Sequence, residues 1–167
     1  MGEYTVGVLT LSDKGSRGER EDTSGAMLKE LFTGLEGFTV ELYLVIADNQ
    51  SLISATLTRW VDESNIDLII TTGGTGVSPS DQTPEATRAV IDREVPGLAE
   101  AMRQASLTKT VQAVWSRGIA GIRQQSLIIN LPGSEKAARE NIEAILPALA
   151  HGLYKLKGGD ADCGASV

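Results

Sequence analysis

The chain is poor in the residues that build many familiar active sites. It has one cysteine, Cys163, and one histidine, His151. No disulfide can form within it, which predicts a reducing compartment. No histidine pair, Ser–His–Asp set or Cys–His arrangement stands out. Cys163 lies far from any motif and reads as inert, and His151 reads as a structural residue of the last helix. Long apolar runs are missing too. No stretch approaches the ~18–20 residues of a membrane span. The opening "MGEYTVGVLTL" lacks the basic region and apolar block of a signal peptide, so a cytoplasmic protein with no membrane partner is expected. Positive charge is in deficit, with 15 Lys and Arg against 22 Asp and Glu and a net charge of −7. That balance argues against non-specific nucleic-acid binding. It leaves a phosphate ligand open, because backbone N–H groups bind anions without Lys or Arg.

What remains is an ordinary globular composition, 41% hydrophobic and 22% charged over 167 residues. This suits one domain with a real core. Short apolar runs alternate with helical periods. "YTVGVLTL" (Tyr4–Leu11), "FTVELYLVI" (Phe38–Ile46), "IDLIITT" (Ile66–Thr72), "AVWSR" and "SLIINL" (Ser126–Leu131) read as strands. Helices are predicted between them. Met27, Leu28, Leu31 and Phe32 share one face before a stop at Gly34. Leu52, Ile53, Leu57, Trp60 and Val61 share another, after a cap by Asp48, Asn49 or Ser51. A third helix opens at Thr83, with Thr83 as cap, and ends before Pro96. "GLAEAMRQASLT" is a fourth. "SEKAARENIEAIL", capped by Ser134, is a fifth, with Pro147 ending or kinking it and "ALAHGLYKL" continuing as a last helix. The order predicts an α/β fold: a single-domain, three-layer α/β/α sandwich over residues 1–167 with a mostly parallel sheet. A mobile tail is expected from about residue 158. Trp60, Trp115 and the apolar last helix are candidates for a partner face.

In such a sheet, ligands bind at the carboxyl ends of the strands. The polar, glycine-bearing stretches fall there: "SDKGSRGERED", "ADNQ", "GGTGVSPSDQT" and "PGS". Gly73, Gly74 and Gly76 permit close approach and positive φ, so successive N–H groups can converge on an anion. Thr72 and Thr75 add hydroxyls. The spacing matches neither G-x-x-x-x-G-K-[ST] nor G-x-G-x-x-G. With no loop lysine, a metal ion or the helix start at Thr83 must offset phosphate charge. Asp48 and Asp81 make sense beside phosphate if they hold Mg²⁺. Each of them, like Asp13 and Asp22, can also be read as a helix cap or a solvated loop charge.

"TTGGTG", then "DQTPEAT", then "NLPGS", with the opening "LSD…DTSG", resembles the molybdenum-cofactor biosynthesis proteins of the molybdopterin adenylyltransferase type. The likeness runs from Tyr4 to about Leu156, and the pairing of the first two segments is its specific part. It implies an α/β/α domain, usually a homotrimer, that binds molybdopterin, ATP and Mg²⁺. Such a protein transfers AMP to the terminal phosphate of molybdopterin, releases pyrophosphate and hands its product to a separate molybdenum-insertion protein. It implies catalytic and metal-holding roles for Asp48 and Asp81. It further implies that Gly73–Gly76 and Pro132, Gly133 and Ser134 hold the pterin phosphate and nucleotide, with Ser12, Asp13 and Asp22 lining the same pocket. Two rival expectations share the glycine loop: a non-catalytic molybdopterin carrier, and a nucleotide-responsive interaction module.

Overall fold

A computed structural model of the chain describes residues 3–160. Cys163 and most of the expected tail lie outside the described residues. The chain forms β1 (Tyr4–Leu11), α1 (Asp13–Ser16), α2 (Thr23–Thr33), β2 (Phe38–Ile46), α3 (Gln50–Asp62), β3 (Leu68–Thr72), α4 (Thr83–Arg88), β4 (Arg93–Glu94), α5 (Pro96–Leu107), β5 (Ala120–Arg123), β6 (Ser126–Leu131) and α6 (Glu135–Leu156). One six-stranded sheet has the order β2-β1-β3-β6-β5-β4. The strands β2, β1, β3 and β6 run parallel; β5 runs antiparallel to β6, and β4 antiparallel to β5.

The near-continuous apolar strands are explained by two covered faces. Side chains alternate along each strand. Val6, Val8, Leu68, Ile70, Leu127 and Ile129 meet α2, α5 and α6, while Leu9, Leu11, Ile69 and Ile128 meet α3 and α4. The result is the expected three-layer α/β/α sandwich. From β1 the chain crosses to one side to form β2, and β3 then lies on the other side. The carboxyl ends of β1 and β3 therefore flank the switch point where such sheets bind ligands.

Several expectations are corrected. "AVWSR" is no strand: Val111–Trp115 is a 3₁₀ turn, with Val111, Val114 and Trp115 exposed. The helix from Thr83 does end before Pro96, at Arg88, but a short strand β4 lies between them and pairs with β5. Neither short strand was anticipated. Pro147 interrupts nothing, since α6 runs unbroken for 22 residues. Both Pro147 and Glu143, whose carbonyl loses its helical donor, lie exposed, where water can replace that bond. Asn49 is the cap of α3, accepting from the Leu52 amide at 2.9 Å. Leu52 itself is exposed rather than on the buried face. Gly34 ends α2 without a left-handed backbone, and Gly37 takes the positive φ instead. Thr83 is not a cap; Gln82 precedes the helix, and Thr83 is fully buried. His151 is exposed and packs into no core, and Trp60 is buried rather than available to a partner.

Trp60 lies across β1 at the one strand position with room for it. A Cβ on Gly7 would stand 2.7 Å from Trp60 Cε3. Gly7→Ala is expected to cost about 1–3 kcal/mol by overpacking. Urea unfolding should show a lower midpoint with an unchanged slope.

Candidate active site

At the end of β3 the chain turns at once. Gly73 and Gly74 have φ of +103° and +63°, a region that side chains rarely adopt. Space is closed as well. A Cβ on Gly73 would lie 2.4 Å from the Leu11 carbonyl oxygen, and one on Gly74 would lie 2.3 Å from Thr83 Oγ1. Gly76 has no positive φ, yet a Cβ there would meet Asp81 Oδ2 at 2.8 Å. Backbone strain dictates glycine at the first two positions, and contact with a carboxylate dictates it at the third.

The loop is tied down through its carbonyls. The Thr83 hydroxyl donates to Gly73 O at 2.9 Å, and the Thr83 amide donates to Gly74 O at 3.1 Å. The Arg117 amide donates to Thr75 O at 2.9 Å, and Arg117 Nε donates to Gly76 O at 2.6 Å. Arg117 Nη2 donates to Asp81 O at 2.6 Å, and Nη1 pairs with Glu85. This hold keeps the Glu85 carboxyl below the usual range. Among the described residues, the amides of Gly74, Thr75 and Gly76 meet no acceptor. Thr72 does not offer its hydroxyl to a ligand, because it donates to Pro132 O at 2.7 Å. That bond and Gly73 N–H to Leu131 O, at 3.1 Å, join the ends of β3 and β6. Gly133 then sits so close that its Cβ would stand 3.3 Å from Gly73 Cα.

Gly74 and Gly133 form a ridge with a cleft on either side. The first cleft, about 350 Å³, is bounded by Ser12, Asp22, Asp48, Thr72, Gly73 and Ser134. The start of α6 also faces it, with Ser134 as cap accepting from the Ala137 amide at 3.3 Å. The start of α2, at Thr23 and Ser24 behind its cap Asp22, lines it as well, whereas the start of α4 at Thr83 is buried behind the loop. Arg20 is the cation on its wall. The second cleft, about 420 Å³, is bounded by Thr75, Gly76, Asp81, Pro132, Trp115 and Asn141.

The expected site residues are thus brought together, but on two sides. Asp48 lines the first cleft and Asp81 the second. Asp48 caps no helix, and its Oδ1 is buried without a partner among the described residues. Burial first, then the charges of Asp13 and Asp81, push its pKa up, offset in part by the backbone of Asp13. Asp81 Oδ2 accepts from the Ser78 amide at 2.8 Å in a local turn. Asp13, expected to line the pocket, lines neither cleft; it is exposed on α1, where its Oδ1 accepts from the Asp48 amide at 3.0 Å. Ser12 Oγ caps α1, accepting from Gly15 N–H at 3.0 Å. Asp22 is committed to structure. It caps α2 through the Gly25 amide at 2.9 Å and accepts from the Thr10 and Tyr43 hydroxyls, each at 2.6 Å. Burial and that bond raise the Tyr43 pKa.

Arg117, Arg20 and Asn141 are not apparent in the sequence, and Trp115 stands out there only as part of a partner face, not of a cleft. Arg117 acts on carbonyls 36 and 41 residues away, which no local pattern announces. Asn141 is 3% exposed and donates to Ser106 Oγ at 2.6 Å, but in the sequence it is one polar position on a helix.

The chain is similar to known proteins over most of its length. A family model described as a probable molybdopterin binding domain matches residues 7–151. A molybdopterin adenylyltransferase of Helicobacter pylori is 44% identical over 147 residues, covering 87% of this chain and 84% of the relative. One from Escherichia coli K12 is 40% identical over 159 residues, covering 92% and 82%. The crystal structure of the molybdopterin biosynthesis enzyme MoaB from Thermus thermophilus superposes with a TM-score of 0.87 at 52% identity, covering 93% of this chain and 97% of that one.

The state of Asp48 gives a prediction. A raised folded-state pKa means that ionisation is disfavoured by the fold. The native stability tied to this group is present below the usual aspartate range and is lost as pH rises through the raised pKa. Asp48→Asn should therefore melt higher than the parent at neutral pH, and the gap should close as pH falls through the carboxylate range. Melting curves across that range check it.

Proposed function

The chain belongs to the molybdopterin-binding family of molybdenum-cofactor biosynthesis proteins, and on that premise we propose that it is a molybdopterin adenylyltransferase using Mg²⁺ and ATP. The observation that carries this reading is the glycine ridge: unpaired amides between two clefts, with Asp48 on one side and Asp81 on the other. Two substrates that must meet end to end need such a place.

In the reaction, a terminal phosphate oxygen of molybdopterin attacks the α-phosphorus of ATP. A new P–O bond forms, the bond from the α-phosphorus to the bridging oxygen breaks, and pyrophosphate leaves with its electron pair. The nucleophile is already ionised, so no side-chain base is required. The chemical difficulty is the mutual repulsion of two phosphates and their alignment. The loop amides, the start of α6 and Arg20 supply donors and positive charge for that purpose. The clefts on either side of the ridge hold the two partners apart except at the reacting ends.

Mg²⁺ fits this site chemically. Asp48 has a buried, unpartnered oxygen whose charge is disfavoured until a cation arrives. Asp81 contributes a second carboxylate from across the ridge. Among the described residues, no group of three or more His, Cys, Asp or Glu side chains is arranged as a metal site. Substrate phosphates would complete the shell, as is usual for this ion. Held by Asp48 and Asp81, Mg²⁺ would supply charge screening for the reacting phosphates.

The protein works as a homotrimer in this reading and passes its adenylylated product to a separate molybdenum-insertion protein. Supporting an assembly, Leu107, Val111, Val114 and Trp115 leave apolar surface exposed at the end of α5 and the 3₁₀ turn. Among the described residues no helix is long and apolar enough to cross a membrane. Light scattering at micromolar concentration should give about three times the 17.7 kDa chain mass, and a clean monomer would contradict the trimer.

The test of function is incubation with molybdopterin, Mg²⁺ and α-labelled ATP. Label should appear on the pterin. Asp48→Asn and Asp81→Asn should each slow transfer about a hundredfold or more, as expected for several kcal/mol of lost transition-state stabilisation. Pterin affinity should stay equal or rise slightly, because repulsion falls. Pterin binding with no label transfer by the parent chain would instead identify a carrier.

A further inference from the structure

All peptide bonds among the described residues are trans. In a trans peptide, the carbonyl of one residue and the N–H of the next point in opposite directions. Fixing a carbonyl therefore aims the amide that follows. Four consecutive loop carbonyls are fixed here by two residues. Thr83 takes those of Gly73 and Gly74. Arg117 takes those of Thr75 and Gly76, at 2.9 and 2.6 Å. The amides of Gly74, Thr75, Gly76 and Val77 are thereby turned away from Thr83 and Arg117. Glycine permits this conformation, but it does not by itself select it.

Arg117 does more than its neighbour. Its three guanidinium nitrogens meet three different acceptors: Gly76 O, Asp81 O and the Glu85 carboxylate. It thus joins both ends of the segment from Gly76 to Asp81 to the start of α4. The guanidinium bonds the carbonyl of Asp81, leaving that carboxylate to the Ser78 amide and the second cleft. Arg117 itself lines neither cleft.

We propose that Arg117 is a positioning residue for AMP transfer, which aims the loop amides and the Asp81 carboxylate at the reacting phosphates without touching either substrate. The proposal rests on the adenylyltransferase reading. A rigid planar fork is needed for this role. A lysine ammonium is a single point of charge on a flexible stem and cannot hold three acceptors in fixed directions.

The experiment compares the parent chain, Arg117→Lys and Thr83→Val in two assays. One measures AMP transfer with α-labelled ATP, Mg²⁺ and molybdopterin, with rates normalised to the folded fraction. The other measures hydrogen exchange of the amides of Ser78, Asp81 and residues 83 and 117, which are bonded to acceptors in the loop, against those of β1 and β3, without substrates. Arg117→Lys should fold and lower kcat about a hundredfold, in line with losing oriented backbone donors. KM for ATP should change less than kcat, because the donors matter most where charge develops. In Arg117→Lys, exchange of the Ser78, Asp81 and residue 117 amides should quicken about tenfold while β1 and β3 stay protected, a response tied to release of the loop. Thr83→Val should quicken exchange of the residue 83 amide, which bonds Gly74 O. A wild-type kcat in folded Arg117→Lys, or unchanged loop exchange, would overturn the proposal. So would an Arg117→Lys chain that cannot fold, since Arg117 would then hold the core rather than aim a loop. If the parent chain transfers no label, the functional reading fails, while the exchange assay still decides whether Arg117 aims the amides.

Discussion

No side chain can occupy position 73, because the Leu11 carbonyl oxygen lies where its Cβ would stand. This exclusion sets how close the ends of β1 and β3 come, and the rest of the site follows from it. With Gly73 against Leu11, its amide reaches Leu131 and its carbonyl reaches the Thr83 hydroxyl. Three strand ends and the start of α4 are thereby brought to one point. The parallel sheet supplies the geometry, since neighbouring strands that run the same way end side by side. The left-handed turn at residues 73 and 74 then carries the chain across the end of the sheet as a ridge rather than out into solvent.

The electrostatics of the ridge are unusual for a chain of net charge −7. Attraction for anions comes from peptide dipoles, from the first turn of a 22-residue helix and from Arg20. Such dipoles are fixed by the fold and do not need to be recruited from flexible side chains. Asp48 works against this field: its buried oxygen lacks a partner, and two other carboxylates stand near it. A group that the fold disfavours and does not use for capping is a local sacrifice of stability. Strain of this kind is concentrated at functional positions, where a ligand relieves it.

Much of the architecture was legible in the sequence. The bounds of β1, β2 and β6 were read directly, because β1 and β6 are buried apolar runs between turn signals and the half-exposed edge strand β2 alternates with a β-rich composition. The loops at their carboxyl ends were legible for the same reason. The antiparallel half of the sheet was not. Strand β4 is two exposed residues, and β5 carries Gly121, where Ile91 fills the space a side chain would need. Neither has the β-branched signature of a strand. "AVWSR" has that signature and forms a 3₁₀ turn, since its apolar residues meet no sheet neighbour. At the site, composition and order pointed to the glycines and aspartates. The division into two clefts was hidden, because it depends on Gly133 and Gly73 meeting across 60 residues of chain, as the bond from Thr72 to Pro132 records. Arg117 was hidden for the same reason.

The wall between the clefts is backbone: Gly73 packs on Gly133, and Gly74 and Gly133 face both clefts. A wall without side chains cannot be retuned on one side only. Any residue larger than glycine at position 74 alters both compartments together, through a strained turn and a displaced Thr83. Specificity for either partner is therefore free to drift only at the outer walls, at positions such as Arg20 on one side and Trp115 or Asn141 on the other. The fold separates a part that evolution must copy from parts it can edit, and related proteins with different ligands should differ at the rims long before they differ at the ridge.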